Sequence, residues 1–253
     1  MTCQHAAEFI EAIAADEIQP TPELRAHFET CPSCASALAA AVRLEALLAA
    51  NRSGFKANDV GPVWMGVLND SYRTPGAGAI LAEYKGGYIL EMLRSLMWDS
   101  SSGDRDFRTM LQDYVKQYAN HAVATEQFKS VLEKHMKRQM DLDGNGRLDW
   151  FFDDWVYGSD VPSYKLEYSL APAKSGKTLL TGKLTQSGVS ERFRMLVPVF
   201  AEMSGRKVRI GAMSIRGNSG SDFHVELPEQ PKKILLNVNN DVLTEKEDVR
   251  QLK

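Results

Sequence analysis

The sequence lacks several features that would place it in large classes of protein. No apolar run approaches the roughly 18 residues of a membrane-spanning helix, so we predict no membrane span. The net charge of -3 provides no basic excess, so we expect no binding to nucleic acid or to an anionic membrane. The N-terminus, MTCQHAAEF, has no basic segment followed by a long apolar stretch. We therefore predict no secretory signal and a cytoplasmic location.

Cysteine is scarce and confined to the start of the chain. The three cysteines all precede residue 35, and the rest of the 253-residue sequence has none. This number and placement exclude a disulfide framework, and the close spacing of two of them indicates a metal site instead.

The composition is that of an ordinary globular protein, with 43% hydrophobic and 25% charged residues. The apolar pattern has a helical period before residue 147 and a strand-like alternation from Tyr164 onward. We therefore predict an α+β fold. Its predicted parts are a zinc-stabilised helical module (1–50), a linker (51–60), a helical domain (61–160), an antiparallel β-sandwich (161–243) and a frayed, charged tail (244–253).

An aromatic helix marks the change of pattern. Leu148, Phe151, Phe152 and Trp155 fall on one helical face, and Gly158 is placed to end the helix. An aromatic stripe at this spacing is typical of a core, so we predict that it fills the joint between the helical and β parts.

Turn residues divide the β part into short segments. Ser-Gly pairs and an Asn-Ser-Gly sequence separate them, as expected for antiparallel strands. The predicted strands are Tyr164–Leu170, Thr178–Gln186, Phe193–Glu202, Lys207–Ile215, Phe223–Leu227 and Lys233–Asn237.

The N-terminal cysteines combine with a histidine in a pattern typical of zinc ligands. His27, Cys31 and Cys34 follow the spacing H-x3-C-x2-C, and Cys3 lies upstream. Three ligands on one short corner and a fourth from the N-terminus would make a closed tetrahedral site, as structural zinc prefers. His5 is the alternative fourth ligand.

A second, weaker metal pattern precedes the aromatic helix. Asp141, Asp143, Asn145 and Asp149 match four oxygen ligands of an EF-hand calcium loop, but the last position, where a bidentate Glu is needed, is Phe152. We favour a polar turn that caps the helix, with a weak calcium site as the alternative.

Residues 1–50 resemble the zinc-binding anti-sigma-factor domain, in which H-x3-C-x2-C lies between two helices. The resemblance implies a structural zinc and a protein partner, with the sigma subunit of RNA polymerase as the candidate.

Residues 61–162 resemble the part of aminopeptidase-N-type zinc peptidases that follows their metal site. The resemblance rests on GPVWMG at 61–66, KGGYILEMLR at 85–94 and FFDDWVYGSDVP at 151–162. It implies a helical domain that closes a peptidase catalytic region, followed by a β-sandwich.

The catalytic residues of that peptidase family are missing from this sequence. No H-E-x-x-H occurs, and Glu83 stands where the family has the Tyr that stabilises the oxyanion, with Tyr84 displaced by one residue. We therefore favour a non-catalytic interaction or regulatory protein without enzymatic activity. The alternative is a component or fragment of a metallopeptidase that acts on peptides.

Overall fold

The computed structural model describes residues 2–10, 13, 18–35, 37–38, 61–71, 74, 77–173 and 175–252. The predicted linker at 51–60, and most of the Ala- and Leu-rich run before it, lie outside these residues. None of the helices in the described ranges is both long and apolar enough to cross a membrane.

The fold is α+β, as predicted, with helices first and strands after residue 160. The helices, in chain order, are α1 (Cys3–Ala7), α2 (Pro22–Thr30), a 3-10 helix (Val63–Asn69), α3 (Ala77–Ile80), a π-helical segment (Leu81–Lys85), α4 (Gly86–Met97), α5 (Arg105–Tyr118), α6 (Thr125–His135), a 3-10 turn (Arg138–Met140) and α7 (Asp149–Trp155). The strands are β1 (Ser163–Pro172), β2 (Thr178–Ser187), β3 (Arg194–Met203), β4 (Arg206–Arg216), β5 (Gly220–Leu227), β6 (Lys233–Leu236) and β7 (Lys246–Gln251). The first six strands coincide with the six that the alternation and turn residues predict.

The strands form two sheets, and one of them is mixed. The four-stranded sheet has the order β5-β2-β1-β7, and the three-stranded sheet has the order β4-β3-β6. The strand pairings within the predicted sandwich at 161–243 are antiparallel, as predicted, and β7, which follows that range, pairs in parallel with β1.

The predicted frayed tail at 244–253 is wrong, because β7 lies within it. Two backbone bonds fix the strand from both ends: Glu245 N donates to Pro162 O at 2.8 Å, and Leu252 N donates to Tyr168 O at 2.6 Å. Val249 packs against the core. Pairing with β1 and this one apolar contact therefore hold a segment whose other side chains are mostly charged.

The aromatic helix is buried at the joint, as predicted. Leu148, Phe151, Phe152 and Trp155 are all at most 1% exposed. The indole of Trp155 packs edge-to-face on Phe193, which directly precedes β3, with ring centroids 5.2 Å apart. One continuous cluster of buried side chains runs from α4 through α7 into both sheets. Helices and sheets thus share a core across the predicted boundary at residue 160, and that boundary between separate domains stays a prediction.

Gly158 ends the aromatic helix for a steric reason. A Cβ atom at this position would lie 2.6 Å from the carbonyl oxygen of Asp154 and 2.8 Å from that of Asp153. These distances are too short for any side chain, so only glycine lets the chain turn this closely past the end of α7.

Candidate metal centre and motif junction

Local sequence fixes the positions of two predicted zinc ligands, His27 and Cys31. Thr21 caps α2 by accepting a hydrogen bond from Leu24 N at 3.3 Å, and Pro22 occupies the first turn, where its missing N–H is not needed. His27 lies in the last turn of α2. Cys31 follows the helix and donates its backbone N–H to the His27 carbonyl at 2.8 Å. The end of this helix therefore holds two of the four ligands together.

The four predicted ligands Cys3, His27, Cys31 and Cys34 converge. One candidate ligand atom from each lies within 4.8 Å of all the others. The sulfur atoms of Cys3 and Cys31 are 3.6 Å apart. Two thiolates bound at about 2.3 Å to a tetrahedral zinc would be about 3.8 Å apart, so the spacing fits a shared metal. It is far longer than the roughly 2.05 Å of a disulfide, and all three cysteines are free.

One ring nitrogen of the histidine in this group lacks a hydrogen-bond partner. His27 Nε2 is buried and has no hydrogen-bond partner. A buried polar nitrogen without a partner is destabilising, because it loses its water and gains nothing in exchange. A metal ion among the three sulfur atoms would satisfy it. The donor set of three sulfurs and one nitrogen suits tetrahedral zinc.

The structure separates the two candidates for the fourth ligand. Cys3 is the first residue of α1 and lies within the group. His5, two residues later, is not among the grouped ligands, and its Nδ1 lies 3.3 Å from Glu8 Oε2. The geometry therefore supports Cys3 as the fourth ligand.

The thiols of the group differ in their readiness to ionise. The pKa of Cys31 falls to about 6, mainly because the Ser33 hydroxyl, 3.3 Å away, and then the Cys34 backbone N–H stabilise its thiolate. The pKa of Cys34 rises to about 11, mainly because of burial and then because of the neighbouring Cys3. Cys31 thus ionises more readily than Cys34, which needs a nearby positive charge to become a thiolate ligand.

The oxygen ligands of the calcium-like loop have other partners. Asp141 accepts hydrogen bonds from the backbone of Asn145 and Gly146 at 3.0 and 3.1 Å, which is the geometry of a polar turn. Asp143 forms a bidentate ion pair with Arg194 at 2.6 and 2.9 Å. A calcium ion would have to displace that guanidinium, so these contacts support the polar turn, and the calcium site stays a prediction.

The fourth member of that loop is also engaged. Asp149 begins α7 and pairs with both Lys129 and Arg147. Among the described residues, the only group of three or more candidate metal ligands is the N-terminal one.

The three segments that carry the peptidase resemblance meet in space. Trp64 N donates to the Val156 carbonyl at 3.3 Å, and the Trp64 ring packs against Tyr157 with centroids 6.2 Å apart. Lys85 Nζ donates to the Gly158 carbonyl at 3.1 Å. The first and second segments thus both contact the end of the aromatic helix, which we call the motif junction.

Lys85 is the residue at this junction whose role the sequence did not indicate. Its side chain is buried, and burial lowers its pKa to about 8, although Asp160 attracts the charged form. A sequence signal does exist: Lys85 interrupts an i, i+4 series with the buried Leu81 and Ile89. A lysine within an apolar stripe predicts burial once an acceptor for its ammonium group is known.

Comparisons with known proteins give little further information. No protein-family model matches the chain, and no curated protein matches it. Among solved structures, aminopeptidase A of Legionella pneumophila, determined in complex with aspartic acid, resembles 72% of this chain with a TM-score of 0.47 and 14% sequence identity. The chain spans 18% of the length of that protein. The comparisons thus show a structural resemblance to part of an aminopeptidase.

Proposed function

We propose that this chain is a zinc-binding, non-catalytic interaction protein in which one structural zinc ion organises residues 1–50. The observation that carries the proposal is the convergence of Cys3, His27, Cys31 and Cys34, and a buried His27 nitrogen without a hydrogen-bond partner supports it. Three thiolates and one imidazole are the ligands of closed structural zinc sites. When bound, the zinc supplies the positive charge that keeps these thiolates ionised.

The geometry supports a structural role rather than catalysis by this metal. A catalytic zinc keeps one position open for water or substrate, whereas four protein ligands fill a tetrahedral shell. Cys31 also has a second interaction, with the Ser33 hydroxyl, that holds its sulfur in place. A ligand with such a supporting contact is pre-positioned for the metal.

The proposed partner of residues 1–50 is another protein. α2 buries Leu24 and Phe28 and leaves Glu23, Arg25 and Glu29 exposed. A polar helix face held rigid by a metal is a surface on which a partner helix can dock. A sigma subunit of RNA polymerase is the candidate that the sequence resemblance implies, and co-elution of the two purified proteins in size-exclusion chromatography would test it.

Elemental analysis of the purified protein tests the metal directly. We expect one zinc per chain in the wild type and in His5→Ala, because His5 lies outside the ligand group. Cys31→Ser and His27→Ala should each lose the zinc on dialysis against a mild chelator. Zinc retained in both of these variants, or absent from freshly purified wild type, would contradict the proposal.

A further inference from the structure

The longest edge strand among the described sheets is β4. It has 11 residues and lies at the edge of the β4-β3-β6 sheet, whereas the other edge strands, β5, β7 and β6, have 8, 6 and 4 residues. An edge strand leaves the N–H and C=O groups of alternate residues without a strand partner. β4 therefore offers the longest hydrogen-bonding edge in the described part of the chain.

The charge on this strand has one sign. β4 contains Arg206, Lys207, Arg209 and Arg216 and no acidic residue. Arg209 is engaged, because it donates to the Ser95 carbonyl at 2.9 Å. Arg206 and Lys207 are exposed and form no ion pair with any described residue. Positive charge thus remains available at the hairpin end of the strand, and Arg216 is exposed at the other end.

The position of these charges argues against a second copy of the same strand. Antiparallel self-pairing centred on Gly211 would place Arg206 directly opposite Arg216. Like charges directly opposite each other destabilise a strand pair. The same positions would attract a strand with carboxylates near its ends.

The centre of β4 presents little bulk to an approaching strand. Gly211, Ala212 and Ser214 are small and exposed. The register shift opposite Val199 and Phe200 leaves Ile210 as an extra residue. An added strand would therefore pair with residues 211–216 and extend past this bulge toward Arg206 and Lys207.

From these features we propose that the β4 edge binds an extended, acidic segment of a partner protein by strand addition. In this mode, backbone hydrogen bonds supply the pairing and the basic side chains select acidic sequences. The inference rests on the proposed function in one respect, because both require a protein partner. It does not depend on the metal.

Fluorescence anisotropy with the labelled peptide EVEVEVEVEV tests the charge requirement. We expect saturable binding to the full-length wild type and an affinity about tenfold lower for Arg206→Glu/Lys207→Glu. The control Lys116→Glu/Lys134→Glu changes the net charge equally at exposed positions on α5 and α6 and should bind like the wild type. No binding to the wild type, or equal loss in both variants, would overturn the proposal.

The same peptide with N-methyl groups on its amides tests the backbone requirement. Versions methylated on one edge keep a free edge and should still bind, whereas a version methylated at every amide has no N–H on either edge and should lose binding. Binding of the fully methylated version equal to that of the parent would mean that charge alone holds the peptide and would overturn the proposal.

Sedimentation analysis distinguishes a partner from a second copy. An oligomer of the wild type that Arg206→Glu/Lys207→Glu converts to monomer would make a second copy the occupant and overturn the proposal. Retained peptide binding in Cys31→Ser would support it and would separate it from the zinc proposal, since that variant is expected to lose the metal.

Discussion

The N-terminal module and the helical–β part of this protein are stabilised in different ways. In the described part of the module, the buried core consists of Ala6, Ile10, Leu24, Phe28 and Cys34. The core of the other part runs from α4 through the aromatic helix into both sheets. The described core of the module is small and offsets little of the conformational entropy of folding, whereas the second core is of ordinary domain size. The comparison supports the proposal that a metal contributes to the stability of the module.

Both regions bury a polar atom that has no partner, and the two atoms have different meanings. His27 belongs to a group with three cysteines, and its buried Nε2 can bind a metal. Trp155 Nε1 lies in the aromatic core, and an indole N–H is a donor only, so it cannot be a metal ligand. The first atom is consistent with the proposed metal site, whereas the second is a destabilising feature that close packing around Trp155 outweighs.

Metal removal should produce the largest effect and should separate the two regions. Structural zinc contributes apparent free energies of about 10–16 kcal/mol in small zinc modules, more than so few buried side chains can replace. We expect Cys31→Ser to unfold residues 1–38 and leave residues 61–252 folded. Heteronuclear NMR of the full chain checks this, because only the module signals should lose dispersion.

His5→Ala is the matched control for that experiment. It removes a histidine close to Cys3 without removing a ligand, so the module signals should stay dispersed. Dispersed module signals in metal-free Cys31→Ser would show that packing alone stabilises the module. The two regions would then not differ in how they are stabilised.

Truncation of the aromatic core should produce the next largest effect. Trp155→Ala removes a fully buried indole and should lower the free energy of unfolding by about 3–5 kcal/mol, measured by urea denaturation. Trp64→Ala is the control: Trp64 is 55% exposed and mainly loses its edge contact with Tyr157, at most about 1.5 kcal/mol. Equal effects of the two substitutions would show that the α7 face does not hold the helices and sheets together.

Trp155→Phe sharpens this test. It removes the unpartnered indole N–H and keeps an aromatic ring against Phe193, so it should destabilise the protein clearly less than Trp155→Ala. A loss as large as that of the alanine variant would show that the size of the indole alone determines its contribution.

Local patterns in the sequence were sufficient to predict the structural features that depend on residues close together along the chain. The change of period located the joint, and the spacing of His27, Cys31 and Cys34 brought together ligands that one helix end positions. Cys3 was the favoured fourth ligand because the resembled zinc domain has a ligand near its start, and His5 remained the alternative. Such features follow from helix and strand geometry without knowledge of the tertiary fold.

The features that the sequence did not reveal depend on distant partners. β7 has the sequence KEDVRQ, with Val249 as its only apolar residue, so no alternation marks it as a strand. Its stability comes from parallel pairing with β1, far away along the chain. The burial of Lys85 was missed for the same reason, because its acceptor is the carbonyl of Gly158.

The free energy of unfolding should depend on pH because of the buried Lys85 at the motif junction. The pKa of Lys85 is about 8 in the folded chain, below its ordinary 10.5, chiefly because of burial. Between these values the unfolded chain binds a proton that the folded chain does not, so folding becomes more favourable as the pH rises. Urea denaturation should show that the free energy of unfolding of the wild type, relative to that of Lys85→Met, rises by up to about 3 kcal/mol from pH 8 to 10.5.

Lys177→Met provides the control for this dependence, because Lys177 is exposed. The difference between this variant and the wild type should stay constant over the same range. A constant difference for Lys85→Met as well would mean that Lys85 is solvated, contrary to its buried position at the junction.

The smallest expected effect is in peptide hydrolysis, where we predict no turnover above background by the isolated chain. Zinc hydrolysis needs an open coordination position, a general base beside the water and a donor for the developing oxyanion. The module offers a shell of four protein ligands. In the resemblance, the exposed carboxylate of Glu83 stands where an oxyanion donor is required, and its negative charge would repel an oxyanion.

An aminopeptidase assay on a panel of aminoacyl substrates with added zinc checks this prediction. Wild type, Cys31→Ser and Glu83→Gln should all give the rate of buffer if, as proposed, neither the module metal nor Glu83 has a catalytic role. Turnover that survives further purification and is lost only in Glu83→Gln would place a peptidase site at Glu83. The helical–β part would then carry the activity and the zinc module would be an accessory to it. This outcome would contradict the proposal of a non-catalytic interaction protein.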